Sequence, residues 1–127
     1  FALGVAENDP LKKFLYFFLS LEVETHAVFG RIDHKARTTL LVSGGGSGPP
    51  LRSTVDLITS QFTSLDNLFN RFVWCATSVW THLIDEDVAL FKKLKNARDA
   101  IAHGRASEPP TGFARSAELL AHRVLWT

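Results

Sequence analysis

Asp9-Pro10-Leu11-Lys12-Lys13-Phe14-Leu15-Tyr16-Phe17-Phe18-Leu19-Ser20-Leu21-Glu22-Val23 is the stretch whose pattern separates a helical fold from any other. Asp9 is a residue that caps helices, and Pro10 fits the first helical position, where its missing N–H is no loss. Leu11, Phe14, Leu15, Phe18, Leu21 and Val28 then recur at helical spacing. Phe17, Leu19 and Val23 widen the apolar arc beyond one stripe, so this helix is expected to be buried on more than one side or to pack in a dimer. It is expected to run to about Ile32, with Gly30 as a late weak point.

The same period continues outward. Val55, Ile58, Phe62, Leu65, Phe69, Phe72, Val73, Ala76 and Val79 predict a helical region from Ser53 or Thr54 to Trp80, either one long helix or two broken near Ser64. Asp85-Glu86-Asp87 opens a further helix, and Lys92, Lys93, Lys95 and Arg98 downstream complement its dipole. Gly104 is a natural stop. Ser107 to Gly112, with Pro109 and Pro110, reads as a loop, and a last helix is expected from about Phe113 to Leu125. No strand pattern competes, although Thr38 to Val42 fits a short extended piece. The expected fold is all-α: one domain over residues 1–127, an antiparallel bundle of four to five helices.

Ser43-Gly44-Gly45-Gly46-Ser47-Gly48-Pro49-Pro50 interrupts this pattern. It has the composition of an engineered Gly/Ser linker, and equally of a natural Gly-rich loop. It lacks the Lys-Ser/Thr ending of a phosphate loop and follows no strand, so no phosphate role is assigned to it. It is expected to be flexible and dispensable for folding.

Composition narrows the function classes. Hydrophobic residues make up 46% of 127, enough for a packed core and too many for disorder. Ten Phe and three Trp point to an aromatic core or an apolar assembly surface. A net charge of +1 excludes a global basic field, so nucleic-acid binding requires a local patch. The single cysteine, Cys75, forms no internal disulfide, which fits a cytoplasmic setting. The richest apolar run, Phe14 to Val23, is too short to span a membrane. The chain begins at Phe1 rather than Met, as expected of a piece of a larger protein or of a chain lacking its start.

Chemistry concentrates in Arg98-Asp99-Ala100-Ile101-Ala102-His103. On a helical wheel Leu90, Phe91, Leu94, Ala97, Ile101 and Ala102 form the apolar arc, and Arg98 falls inside it. A guanidinium there needs a carboxylate partner, for which Glu22 or Glu24 is available. His103 lies about 140° from Arg98, beside Asp99, Asn96 and Lys92. The two converge on one cleft only if the helix end unwinds near Gly104 or the cleft is wide.

The longer string Lys95-Asn96-Ala97-Arg98-Asp99-Ala100-Ile101-Ala102-His103-Gly104 resembles the K-x-x-R-[ND]-x-x-A-H-G ending of HEPN domains. The resemblance covers the helical architecture, but its specific part is about ten residues. It implies an HEPN-like bundle and RNA cleavage without a metal or other cofactor. His103 would move a proton at the ribose 2′-hydroxyl or at the leaving 5′-oxygen, work suited to an imidazole. Arg98 would hold the scissile phosphate, and Asp99, one turn before His103, would orient the imidazole. Lys92, Lys95, Asn96 and Arg105 would face RNA. The family's composite sites imply a homodimer, and toxin–antitoxin or phage-defence settings imply a partner domain or antitoxin. A non-catalytic HEPN domain binding RNA or a protein, as part of a larger chain, is the alternative. In a toxin subset a tyrosine stands two residues after the histidine; here Arg105 stands there, which argues against regulation through that tyrosine.

The remaining candidates read as structure. Glu22 and His26 share one helix face with Glu24 close by, but no further acidic-histidine pair completes a metal site. Cys75, within Phe72-Val73-Trp74-Cys75-Ala76, is expected to be a small core residue rather than a nucleophile. His34, His82 and His122 are expected at the surface or as caps, and Trp74, Trp80 and Trp126 in packing rather than base stacking. Lys92, Lys93 and Lys95 by default form a solvated helix face.

Overall fold

The computed structural model describes residues 1–44 and 48–126. Gly45, Gly46 and Ser47, the centre of the Gly/Ser/Pro segment, lie outside the described residues. The described chain is all-helical, with α1 (Ala2–Ala6), α2 (Pro10–Phe29), α3 (His34–Ser43), α4 (Arg52–Thr63), α5 (Leu68–Ser78), α6 (Asp85–Ala102) and α7 (Phe113–Leu125). That is seven helices rather than the expected four to five.

The boundaries follow local chemistry. The Asp9 carboxylate accepts from the Leu11 amide at 2.9 Å, with Pro10 in the first turn of α2. The helix stops at Phe29, three residues before Ile32, with Gly30 as its cap. Ser64 ends α4, and the Asn67 side chain caps α5, so the long apolar stretch is two helices. The extended reading of Thr38 to Val42 is corrected: these residues lie in α3. Asp33 captures the Ala36 amide at 3.1 Å, and Thr39 returns its hydroxyl to the Lys35 carbonyl at 2.8 Å, so local bonds offset weak helix propensity.

Helices α2, α5, α6 and α7 pack pairwise into a closed bundle, with α1 laid on α2 and α3 paired with α4. The bundle centre is aromatic. Phe72 of α5 and Phe91 of α6 stack with ring centroids 3.9 Å apart and planes 3° from parallel. Phe18 of α2 stacks on Phe91 at 5.6 Å, and Phe14 continues the series. All four rings are essentially inaccessible to solvent, and such pairs add about 1 kcal/mol each beyond the area they bury. Gly4 lets α1 approach this centre, since a Cβ there would come 3.0 Å from the Phe17 ring. The α4 side joins through Trp74, whose ring stacks on Phe62 at 3.9 Å.

Asp87 fixes the start of α6. It is buried, accepts from the Ile84 amide at 2.9 Å and from Arg123 of α7 at 2.7 Å. With its first turn pinned to α7, α6 carries its C-terminal half to the rim of the bundle.

Candidate functional site

Helix α6 closes on a turn that sets the position of His103. The Arg105 amide donates to the Ala100 carbonyl at 2.8 Å and the Gly104 amide to Ile101 at 3.1 Å. This paired pattern is a Schellman closure, which needs a left-handed residue just past the cap. Gly104 provides it at φ 73°, and His103 is the cap residue. Its imidazole is exposed and makes no hydrogen bond among the described residues.

Arg98, one turn earlier, is held instead of free. Its Nε donates to Asp99 Oδ1 at 3.1 Å. Its Nη1 lies 3.3 Å from both Glu22 oxygens. Its guanidinium carbon sits 4.7 Å from the centre of the Phe18 ring, a cation–π contact. The side chain keeps 25% of its exposure, so solvent reaches it. The expected carboxylate partner is therefore Glu22; Glu24 instead lies 3.8 Å from Arg31. Phe18 beneath the guanidinium was not foreseen. Its signal was available, because Phe18 and Glu22 are four apart on α2 and share a face.

Asp99 is engaged on both oxygens, by Arg98 and by Lys95 Nζ at 2.8 Å. Burial acts to raise its pKa, but the hydrogen bonds and charges of Lys95 and Arg98 outweigh it and hold the carboxyl below its ordinary value. No hydrogen bond joins its carboxylate to His103. Asp99 thus holds Arg98, whereas the sequence reading assigned it to the imidazole.

Of the other expected contacts, Lys92 lies 5.4 Å from the Phe69 ring centre, and Asn96 and Arg105 are exposed. Lys92, Lys95, Asn96 and Asp99 occupy one arc of about 100° on α6, with Arg98 beyond its edge and His103 following as the cap residue. Ala97 and Ala100 border an open groove of about 490 Å³ between α6 and the loop holding Ser107, Glu108, Pro109 and Pro110. His103, the cap residue beyond Ala102, is not among the residues that line this groove.

His26, His34 and His82 each have a hydrogen-bond partner. His26 Nδ1 lies 3.1 Å from Arg71, which also donates to the Leu65 carbonyl at 2.7 Å. His34 is half-buried rather than on the surface and accepts from the Trp74 indole at 2.9 Å; burial lowers its pKa, with Asp33 opposing. His82 donates to the Arg123 carbonyl at 2.8 Å. Cys75 is buried, and burial pushes its thiol up to about 12, so it is a core residue. Trp74 and Trp80 are buried, while Trp126 is exposed. Among the described residues no three His, Cys, Asp or Glu side chains cluster as metal ligands, and no helix is long and apolar enough to cross a membrane.

Compared with protein families, curated proteins and solved structures, the chain matches none of them.

Proposed function

We propose that this chain is an HEPN-type, metal-independent endoribonuclease whose site is the C-terminal end of α6. The observation that carries the reading is that the same helix terminus carries a partly exposed, preorganised Arg98 and an exposed His103 free of hydrogen bonds among the described residues. Arg98 would grip a backbone phosphate and His103 would move the proton on the ribose 2′-oxygen or the leaving 5′-oxygen. Asp99 serves by fixing Arg98. Lys92 and Asn96 stand on the exposed face of α6 that leads to His103, and the groove bordered by Ala97 and Ala100 would give an RNA strand room along the same helix.

A homodimer completes this reading. Leu19 and Val23, 54% and 58% exposed, form an apolar strip beside Glu22 on α2. Pairing there would bring two α6 ends together, and it explains why these residues widen the apolar arc without entering the core. The second reading, a non-catalytic HEPN domain binding RNA or a protein, is favoured by one observation: no hydrogen bond joins Arg98 to His103 within one chain, and Arg98 is taken by Asp99 and Glu22.

The test is cleavage of a mixed RNA substrate by wild type, Arg98→Ala and His103→Ala, each checked for an intact helical fold. Each variant is expected to lose most cleavage. Full activity in His103→Ala rules the mechanism out. An RNA-binding wild type without cleavage moves the assignment to the second reading.

A further inference from the structure

Arg98 has three neighbours, and they are not equally firm. Asp99 takes its Nε at 3.1 Å and is itself clamped by Lys95 at 2.8 Å. The Phe18 ring supports the guanidinium face at 4.7 Å. Glu22 is looser. Both its oxygens share the single Nη1, each at 3.3 Å. A charge-assisted pair usually closes to 2.7–2.9 Å, and a carboxylate facing arginine well takes two nitrogens in parallel. Nη2 has no partner among the described residues. One edge of the guanidinium is therefore pinned, and the other is only covered.

Charge states what fits that covered edge. Lys95 and Arg98 balance Glu22 and Asp99, so the cluster is neutral. A phosphodiester carries the same single negative charge as the carboxylate it would displace. Exchange gives Nη1 and Nη2 two oxygens in the parallel geometry arginine favours, while the displaced Glu22 charge is left to be screened by water. Glu22 keeps 26% of its exposure, so its carboxylate can turn into water when it leaves.

We propose that Glu22 is a built-in occupant of a phosphodiester seat on Arg98, displaced by an RNA backbone phosphate while Asp99 and Phe18 keep the guanidinium in place. The proposal rests on the ribonuclease reading for its ligand. It makes Glu22 a gate and Asp99 a positioning residue, with opposite signs on substitution.

The full chain is titrated with dimethyl phosphate, a monoanionic phosphodiester, while the Arg98 Nε–H signal is followed by NMR. Glu22→Gln is expected to bind about fivefold more tightly than wild type, the factor a part-exposed ion pair withholds. Asp99→Asn is expected to bind more weakly. With RNA, Glu22→Gln is expected to lower KM by a similar factor. Should Glu22→Gln fold poorly, Glu22→Asp draws the carboxylate back from Nη1 and is expected to shift binding in the same direction. Unchanged or weaker binding in the folded variant overturns the gate, and so does RNA cleavage with KM unmoved. Tighter dimethyl phosphate binding with no cleavage of RNA by any variant upholds the seat and overturns the ribonuclease reading.

Discussion

Phe91 and Arg98 lie about two turns apart on the same helix, and they meet their surroundings in different ways. Phe91 is fully buried between Phe18 and Phe72, in contact with rings from two other helices. Arg98 rests on the next ring of the same aromatic series, over Phe18, with a quarter of its side chain exposed. One residue is held by volume and the other by direction. Volume is unforgiving, because a vacated cavity in a packed core is not refilled. Direction is adjustable, because charged groups at the rim can exchange a protein partner for water or a ligand. α6 thus joins a half anchored by the fully buried Phe91, which sets position, to a half whose polar partners are open to water.

The comparison is broken most severely at Phe91. Phe91→Ala is expected to destabilise the fold by about 3–5 kcal/mol, read as a lower denaturant midpoint in urea unfolding. A loss under about 1 kcal/mol would mean that the aromatic stack is not the organising core. Arg98→Ala is expected to cost only about 1 kcal/mol in the same assay, because the carboxylates it leaves behind remain accessible to water. A cost equal to that of Phe91→Ala would show that the cluster is a structural clamp instead of an exchangeable site.

The smallest effect is expected in acid. The Asp99 carboxyl is held below its ordinary value of 3.8 in the folded chain. A depressed carboxylate contributes stability that is fully present above the unfolded value and is lost as pH falls through the folded one. The Lys95–Asp99–Arg98 contribution is therefore retained at neutral pH and disappears only below that ordinary value. Urea unfolding of wild type and Asp99→Asn is expected to differ slightly at neutral pH and to converge in strong acid. A difference that grows as pH falls would contradict the assigned partners.

The strongly patterned helices were readable because periodicity and punctuation agreed. Asp9 and Pro10 opened α2, Gly104 closed α6, and Phe113 to Leu125 is α7 as observed. α1 was missed because it has five residues and no side-chain cap. α3 was misread because its Thr and Val residues have weak helix propensity, which the Asp33 cap and packing against α4 override. In the site, the need for a carboxylate at Arg98 was legible from the wheel, but the choice of Glu22 over Glu24 was not. That choice depends on which face α2 turns toward α6, and it is set by Phe18 against Phe91. The HEPN resemblance implied that Asp99 orients His103; in the structure the adjacent Arg98 and the Lys95 one turn back occupy both its oxygens.

The central claim is that the end of α6 cleaves RNA with its own side chains. Its most direct test is the chemistry of the cut ends. Wild-type protein is incubated with an end-labelled RNA in excess chelator, and the termini of the products are identified by mass spectrometry. Cleavage is expected to persist in chelator, and the upstream fragments are expected to end in a 2′,3′-cyclic phosphate, since the ribose 2′-oxygen is the attacking group. Cleavage abolished by chelator, or fragments bearing a 3′-hydroxyl and a 5′-phosphate, would contradict it.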